Sequence, residues 1–270
     1  MEKKEQRTAL ITGASAGLGA EYARQLAGLG YNLVLVSRRR ERLEQLAQEI
    51  KTANPVVVEV LQADLSTDAG ITLVEERIKE MDDLEMLVNN AGFGLPGGFL
   101  ASEIQVTLTM VWVHVLAPVR LTRAALPGMI ENGRGYIINV SSISAFAAAT
   151  GSSTYSATKA YLNNFTEGLA VECHGKGVKL QALCPGFTIT EFQDSPGYQR
   201  LRVKERLPRF LWMTSRQVVK RSLRELRGNR VIYVPGVGNK LIALVGRLGL
   251  VGVIVRVYTG ITGRRFTDID

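Results

Sequence analysis

The stretch TALITGASAGLGAEYARQLAGL, residues 8–29, changes character twice along its length. Thr8 to Thr12 is a short β-like run, Gly13 to Gly19 is a turn with glycines at 13, 17 and 19, and Glu21 to Leu29 has the spacing of an amphipathic helix. A strand that turns tightly into a helix leaves the first backbone N–H groups of that helix without partners, and glycine lets a phosphate approach them closely. Gly13, Ser15, Gly17, Leu18 and Gly19 are therefore candidates for a nucleotide-binding turn.

The same alternation runs on through the chain. Strand-like runs at 31–36, 56–61, 84–88, 136–140 and 178–183 are separated by helical patterns at 41–51, 72–79, 102–129 and 155–174, followed by a helix at 214–226 and an edge strand at 231–234. Strands alternating with helices argue for an α/β, Rossmann-type doubly wound parallel sheet. Without an internal repeat or low-complexity linker, residues 1–270 read as a single domain, which a chain of this length can fill.

A second informative stretch is NVSSISAFAAATGSSTYSATKA, residues 139–160. A helix starting near Tyr155 puts Tyr155 and Lys159 on one face, four residues apart. An ammonium so placed is expected to lower the pKa of the phenol, whose ordinary value of about 10 makes it a poor proton shuttle at neutral pH. Ser142 follows the apolar run 136–140, so its hydroxyl is expected at the carboxyl end of a strand, where open α/β sheets bind ligands. Taken alone, a Tyr-x-x-x-Lys pair is more often a solvated surface pair.

Together, the glycine turn, Ser142, Tyr155 and Lys159 resemble the short-chain dehydrogenase/reductase family, over roughly Thr8 to Glu191. The resemblance implies a nicotinamide cofactor, with Tyr155 and Ser142 working on a substrate oxygen and Lys159 also holding the nicotinamide ribose. Asn89-Asn90-Ala91-Gly92 matches the family's N-N-A-G motif, which implies that Asn90 and Gly92 line the cofactor cleft. Asp64 inherits contact with the adenine ring, and Pro185-Gly186 with Thr188 and Thr190 resembles the turn that meets the nicotinamide carboxamide or the diphosphate.

Which nicotinamide cofactor is decided at the end of the second strand. An acid there would accept hydrogen bonds from a free ribose 2'-hydroxyl, whereas arginine clamps a 2'-phosphate. The sequence has Ser37 and Arg38, with no acid before Glu41, and so favours NADP. Arg39 and Arg40 read as opening an exposed helix whose buried face is Leu43, Leu46, Ala47 and Ile50.

Between Ser102 and Met129 the local signal conflicts, since Val106, Leu108, Met110 and Trp112 alternate as in a strand. The resemblance implies one long helix, with Ser102 as N-cap, Glu103 in the first turn, and an outer side packed against a second subunit. The family's asparagine in this helix, whose carbonyl holds a relay water, is replaced by His114. Pro118 has no N–H to give the carbonyl four residues earlier, so the His114 carbonyl stays free for the relay. His114 is counted with the catalytic set on that ground. Its imidazole either joins the relay or is a neutral side chain bonded inside the packing.

From Phe187 to Met213 prolines, aromatics and basic residues mix, as expected of a substrate lid, and an apolar extension occupies 235–270. Within it, 241–258 is glycine-rich and apolar but carries Arg247 and Arg256, which is short and costly for a membrane span. Packing on the substrate pocket or a subunit contact is one reading; peripheral membrane contact is the other. The net charge of +8 comes largely from residues 200–230, without a nucleic-acid signature, so a solvated basic surface or attraction of an anionic acyl carrier is expected and nucleic acid is not. Cys173 and Cys184 lack metal-ligand or C-x-x-C spacing, no apolar leader follows Met1, and the cytoplasm is the expected compartment. The sequence thus predicts an NADP-dependent oxidoreductase acting on a carbonyl or secondary alcohol, with a hydrophobic acyl or steroid-like ketone as one substrate class. The alternatives are a membrane-associated lipid ketone reductase and a non-catalytic nucleotide-binding regulator.

Overall fold

A computed structural model describes residues 7–94, 99–147, 152–191 and 209–248. The centre is a seven-stranded parallel sheet of β1 (Thr8–Thr12), β2 (Asn32–Ser37), β3 (Val58–Gln62), β4 (Leu84–Asn89), β5 (Gly135–Val140), β6 (Val178–Leu183) and β9 (Ile232–Tyr233). Their order is β3-β2-β1-β4-β5-β6-β9, so the direction of winding reverses between β1 and β4. A crevice opens there at the carboxyl ends of the strands, as the doubly wound class requires. Because helices cover both faces, the central strands are apolar on both sides: all five residues of β1 and all six of β4 are buried.

Helix α1 (Gly17–Gly28) buries Tyr22, Ala23, Leu26 and Ala27, and α2 (Arg40–Ala53) buries the expected Leu43, Leu46, Ala47 and Ile50. Helix α3 (Asp68–Lys79) begins four residues before the expected start, since Thr67 caps it by accepting from the Gly70 N–H at 3.1 Å. Gly70 lies against the strand end: a Cβ there would be 2.0 Å from the Asp64 carbonyl.

The 102–129 region is helical, and the alternation of Val106 to Trp112 does not make a strand. It comprises α4 (Ile104–Val111), one π turn (Trp112–Leu116) and α5 (Ala117–Glu131). The expected cap is corrected: Glu103, not Ser102, occupies the N-cap position, and its side chain makes no capping bond. The π turn has a local cause. Pro118 cannot donate to the His114 carbonyl and its ring crowds it, so the ladder widens and the Ala117 N–H reaches Trp112, five residues back.

Helix α6 (Ser153–Glu172) carries Tyr155 and Lys159, and α7 (Ser215–Glu225) opens on a capping box of Thr214 and Gln217. A short parallel pair, β7 (Thr188–Ile189) with β8 (Met213–Thr214), brackets residues 192–208 of the expected lid, which lie outside the described residues. Buried polar groups tie the layers together. Tyr22 donates to Ser222 at 2.7 Å and Ser222 in turn to Gln181, while Asn89 donates to Asn139 at 2.8 Å and Asn139 to Thr166 at 2.9 Å.

Helix α8 (Val237–Arg247) packs in an inverted sense. Its inner face is Asn239, Ala243 and Gly246, whereas Val237, Leu241, Leu244 and Leu248 are exposed. Small inner residues allow close approach: a Cβ on Gly246 would be 2.7 Å from the Phe146 carbonyl. Residues 249–258 of the apolar stretch lie outside the described residues.

Candidate active site

One cleft of about 590 Å3 runs along the carboxyl ends of the strands from Arg38 and Arg39 to Tyr155 and Phe187. It collects almost every expected site residue. Gly13, Ser15, Gly17, Leu18, Ser37, Arg38, Asp64, Asn90, Gly92, Ser142, Tyr155, Lys159, Pro185, Gly186 and Thr188 all line it. Gly19 and His114 are not among the lining residues, and both stand behind the wall.

The glycine turn is built to leave backbone exposed. Gly13 has φ +65° and Gly17 φ +55°, conformations that side-chain-bearing residues avoid. Gly19 is corrected from lining to packing: a Cβ there would fall 2.3 Å from the Gly13 carbonyl. Asn90 braces the turn, with its side-chain amide donating to the Thr12 carbonyl at 2.9 Å and to Gly13 at 3.2 Å. The buried Thr12 hydroxyl accepts from the Asn90 and Ala91 N–H groups at 2.9 and 3.0 Å. Helix α1 begins without a capping side chain or an acidic residue in its first turn, so its amino terminus is chemically suited to a diphosphate.

At the adenosine end the expectations need one correction. Arg38 lines the cleft, but Arg39 does more than open α2: its Nε and Nη2 donate to the Ser15 hydroxyl at 3.0 and 2.9 Å, bringing a guanidinium to the glycine turn. Ser37 accepts from the Arg39 N–H at 3.1 Å. Two arginines and two serine hydroxyls suit a 2'-phosphate, and no acid stands at the end of β2. Asp64, expected at the adenine, accepts from the Ser66 N–H at 3.0 Å and the Ser66 hydroxyl at 2.7 Å, which fixes its carboxylate at the cleft.

At the other end Ser142 stands beyond β5 and hydrogen-bonds the hydroxyl of the half-buried Tyr155, while also accepting from the Ser144 N–H at 3.1 Å. Lys159 is buried and donates from Nζ to the Val140 carbonyl at 2.8 Å; the same Nζ is 5.7 Å from the centre of the Tyr155 ring. The expected pKa relation is corrected here. Burial raises the Tyr155 pKa, opposed only in part by the Ser142 hydrogen bond, and Lys159 does not offset it. Burial instead pulls the Lys159 ammonium down to about 8. Cys184, beside this pair, is a buried thiol pushed up to about 12 and therefore inert.

His114 is fully buried and both its ring nitrogens have protein partners. Nε2 accepts from the Phe93 N–H at 3.0 Å and Nδ1 lies 3.1 Å from the Thr158 hydroxyl. Thr158 spends its own proton on the Tyr155 carbonyl at 2.8 Å, so it accepts from Nδ1–H and the tautomer is fixed. Burial, and then the nearby Lys159 charge, hold its pKa well below the usual histidine range. Of the two readings left open for the imidazole, this arrangement is the neutral, bonded one. Gly92 makes it possible, since a Cβ there would be 2.9 Å from Nε2.

Sequence reasoning missed Arg39, Glu191, Thr12 and the supporting Asn239, which sits so close to Gly186 that a Cβ there would be 2.1 Å from its Oδ1. Only Arg39 had a signal, its place in Ser-Arg-Arg-Arg. The others act through approaches that only the fold creates.

Residues 7–200 match the family model described as short chain dehydrogenase. A short-chain dehydrogenase from Sphingobium yanoikuyae, solved in complex with NADPH, superposes with a TM-score of 0.80 at 34% identity, covering 91% of this chain and 95% of that one. An NADP-dependent 3-hydroxy acid dehydrogenase of Schizosaccharomyces pombe is 34% identical over 195 residues, 71% of this chain and 75% of that protein. Human inactive hydroxysteroid dehydrogenase-like protein 1 is 33% identical over 191 residues, 70% of this chain and 58% of that protein. With a cleft fitted to NADP and a matching sheet, the chain belongs to the short-chain dehydrogenase/reductase family of oxidoreductases.

Proposed function

We propose that the protein is an NADPH-dependent reductase of hydrophobic ketones, working in the cytoplasm. The observation that carries this reading is the hydrogen bond between the Tyr155 hydroxyl and Ser142 at the apolar end of the cleft, where Phe93, Val113, Ile143 and Phe187 also stand. The cofactor, when bound, supplies the hydride. Tyr155 gives its proton to the carbonyl oxygen, and Ser142 donates a hydrogen bond to the same oxygen as charge develops on it. Lys159, with a pKa near 8, is mostly protonated at pH 7 and places positive charge beside the tyrosinate left behind.

A non-catalytic regulator is the reading from another class, and an inactive relative gives it substance. Against it stand Ser142, Tyr155 and Lys159, all present and converging. A screen of ketones of increasing chain length, followed by NADPH absorbance, tests the proposal. Tyr155→Phe is expected to lower kcat at least 100-fold while leaving NADPH affinity within about two-fold, because it removes the proton donor and keeps the ring. Turnover of no ketone by the parent protein would favour the regulator.

The lipid-associated variant of this function draws support from α8. Its exposed stripe of Val237, Leu241, Leu244 and Leu248 lies on a helix packed against the turn that carries Phe146, four residues beyond Ser142. An apolar surface this close to the substrate end suits a ketone delivered from a bilayer.

A further inference from the structure

The adenosine end of the cleft holds a charge arrangement that binding of the dinucleotide does not need. Glu191, just beyond β7, reaches back across the cleft to α2, with its Oε2 2.6 Å from Arg42 Nη1 and 3.4 Å from Arg39 Nη1. The other edge of the Arg39 guanidinium is on Ser15, in the glycine turn. Arg40 is turned away, paired with Glu44 at 2.7 Å. Among the described residues lining the cleft, Glu191 and Asp64 are the carboxylates, and Asp64 is engaged with Ser66. Glu191 is thus the anion that already stands beside Arg39, one of the two arginines lining the adenosine end of the cleft.

We propose that Glu191, held by Arg42, is an internal competitor for the 2'-phosphate of NADP, which weakens the hold of Arg39 on that group and speeds its release. The inference rests on the cofactor site described above. A fixed carboxylate a few ångströms from an incoming dianion repels it, and it also satisfies the guanidiniums that the dianion would otherwise find unpaired. The effect is confined to the 2' position, since a cofactor with a free 2'-hydroxyl brings no charge to that corner. Arg38 and Arg39 without such a counter-ion would hold the 2'-phosphate of the oxidised product more firmly and slow turnover at its release.

Calorimetric titration with 2',5'-ADP and with ADP isolates the 2'-phosphate from every contact of the nicotinamide half. Glu191→Gln is expected to tighten 2',5'-ADP and NADPH about five-fold, leave ADP and NADH within two-fold, and slow NADP+ dissociation in stopped flow by a similar factor. Glu191→Asp, which keeps the charge, is expected to stay close to the parent. Weaker binding of 2',5'-ADP by the glutamine variant would overturn the proposal, because Glu191 would then be positioning Arg39. Equal tightening of ADP would overturn it too, by showing a steric strap. A parent protein that binds 2',5'-ADP no better than ADP would remove the underlying cofactor assignment instead, a distinct result.

Discussion

His114 and Phe93 are joined by a hydrogen bond from the Phe93 N–H to the imidazole Nε2, across a gap that Gly92 keeps open. The bond ties the segment after β4 to the π turn and sets the wall behind Tyr155. His114 is therefore a positioning residue with its imidazole neutral. Because its folded pKa is depressed, the stability it contributes is present above the ordinary value of about 6.5 and is lost as pH falls below it. Urea midpoints of the parent should drop between pH 7 and 5 more steeply than those of His114→Asn, whereas kcat of the parent should show no limb from this group. Gly92→Ala should lose about 2 kcal/mol of stability by forcing the imidazole off its donor.

Lys159 gives a second linkage effect, of the same direction in pH but in a higher window. Its folded pKa near 8 lies below the ordinary 10.5, so the fold bears the cost of a buried ammonium below pH 8 and is relieved of it as pH rises toward 10. Lys159→Met should be inactive but about 2 kcal/mol more stable than the parent at pH 7, allowing for the lost bond to the Val140 carbonyl. The stability difference should shrink between pH 8 and 10. A constant difference across that range, by chemical denaturation, would refute the assignment.

Cofactor preference divides between two arginines. Arg38→Asp should reverse the preference for NADPH over NADH, by placing an acid where a ribose 2'-hydroxyl wants one. Arg39→Gln should weaken NADPH about ten-fold and leave NADH unchanged, since a charge-assisted contact is worth about 1.5 kcal/mol or more. Fluorescence titration of both cofactors on both variants checks the division.

A homo-oligomer is expected, because the outward side of the 104–131 segment carries Ile104, Leu108 and Leu116 in exposed positions. Light scattering at micromolar concentration should give at least a dimer mass. Leu108→Glu, near the middle of that face, should shift the mass toward the monomer without loss of helicity.

The sheet and most of the cleft were legible because they depend on local pattern. Strands buried on both faces must be continuous apolar runs, and β6 came out at 178–183 with no residue gained or lost. Helix starts were less legible: α1 and α3 begin four residues early because Gly17 and Asp68 carry no apolar periodicity yet sit in helix. What sequence could not show was the field inside the site. Spacing placed Tyr155 and Lys159 together, but their protonation follows from burial and from the Val140 carbonyl that takes the ammonium, neither of which spacing contains. Arg39 and Glu191 were misjudged or unseen for a related reason, since residues 152 positions apart meet only once β7 has crossed to α2.

The bonded pair of Asn89 and Asn139 has a consequence for how the chain assembles. The two residues are direct neighbours in the β4–β5 ladder, and each amide is buried. If β5 slid along β4 by two residues, the same strand faces would stay apolar, so hydrophobic burial alone would tolerate the error. The slip would set Asn139 against Leu87 and break the bond between the two buried amides, at about 1 to 3 kcal/mol. The polar pair thus acts as a key that admits one alignment of the two strands. With that alignment comes the placement of Ser142, just beyond β5, beside the end of β4, where Asn90 braces the glycine turn that follows β1.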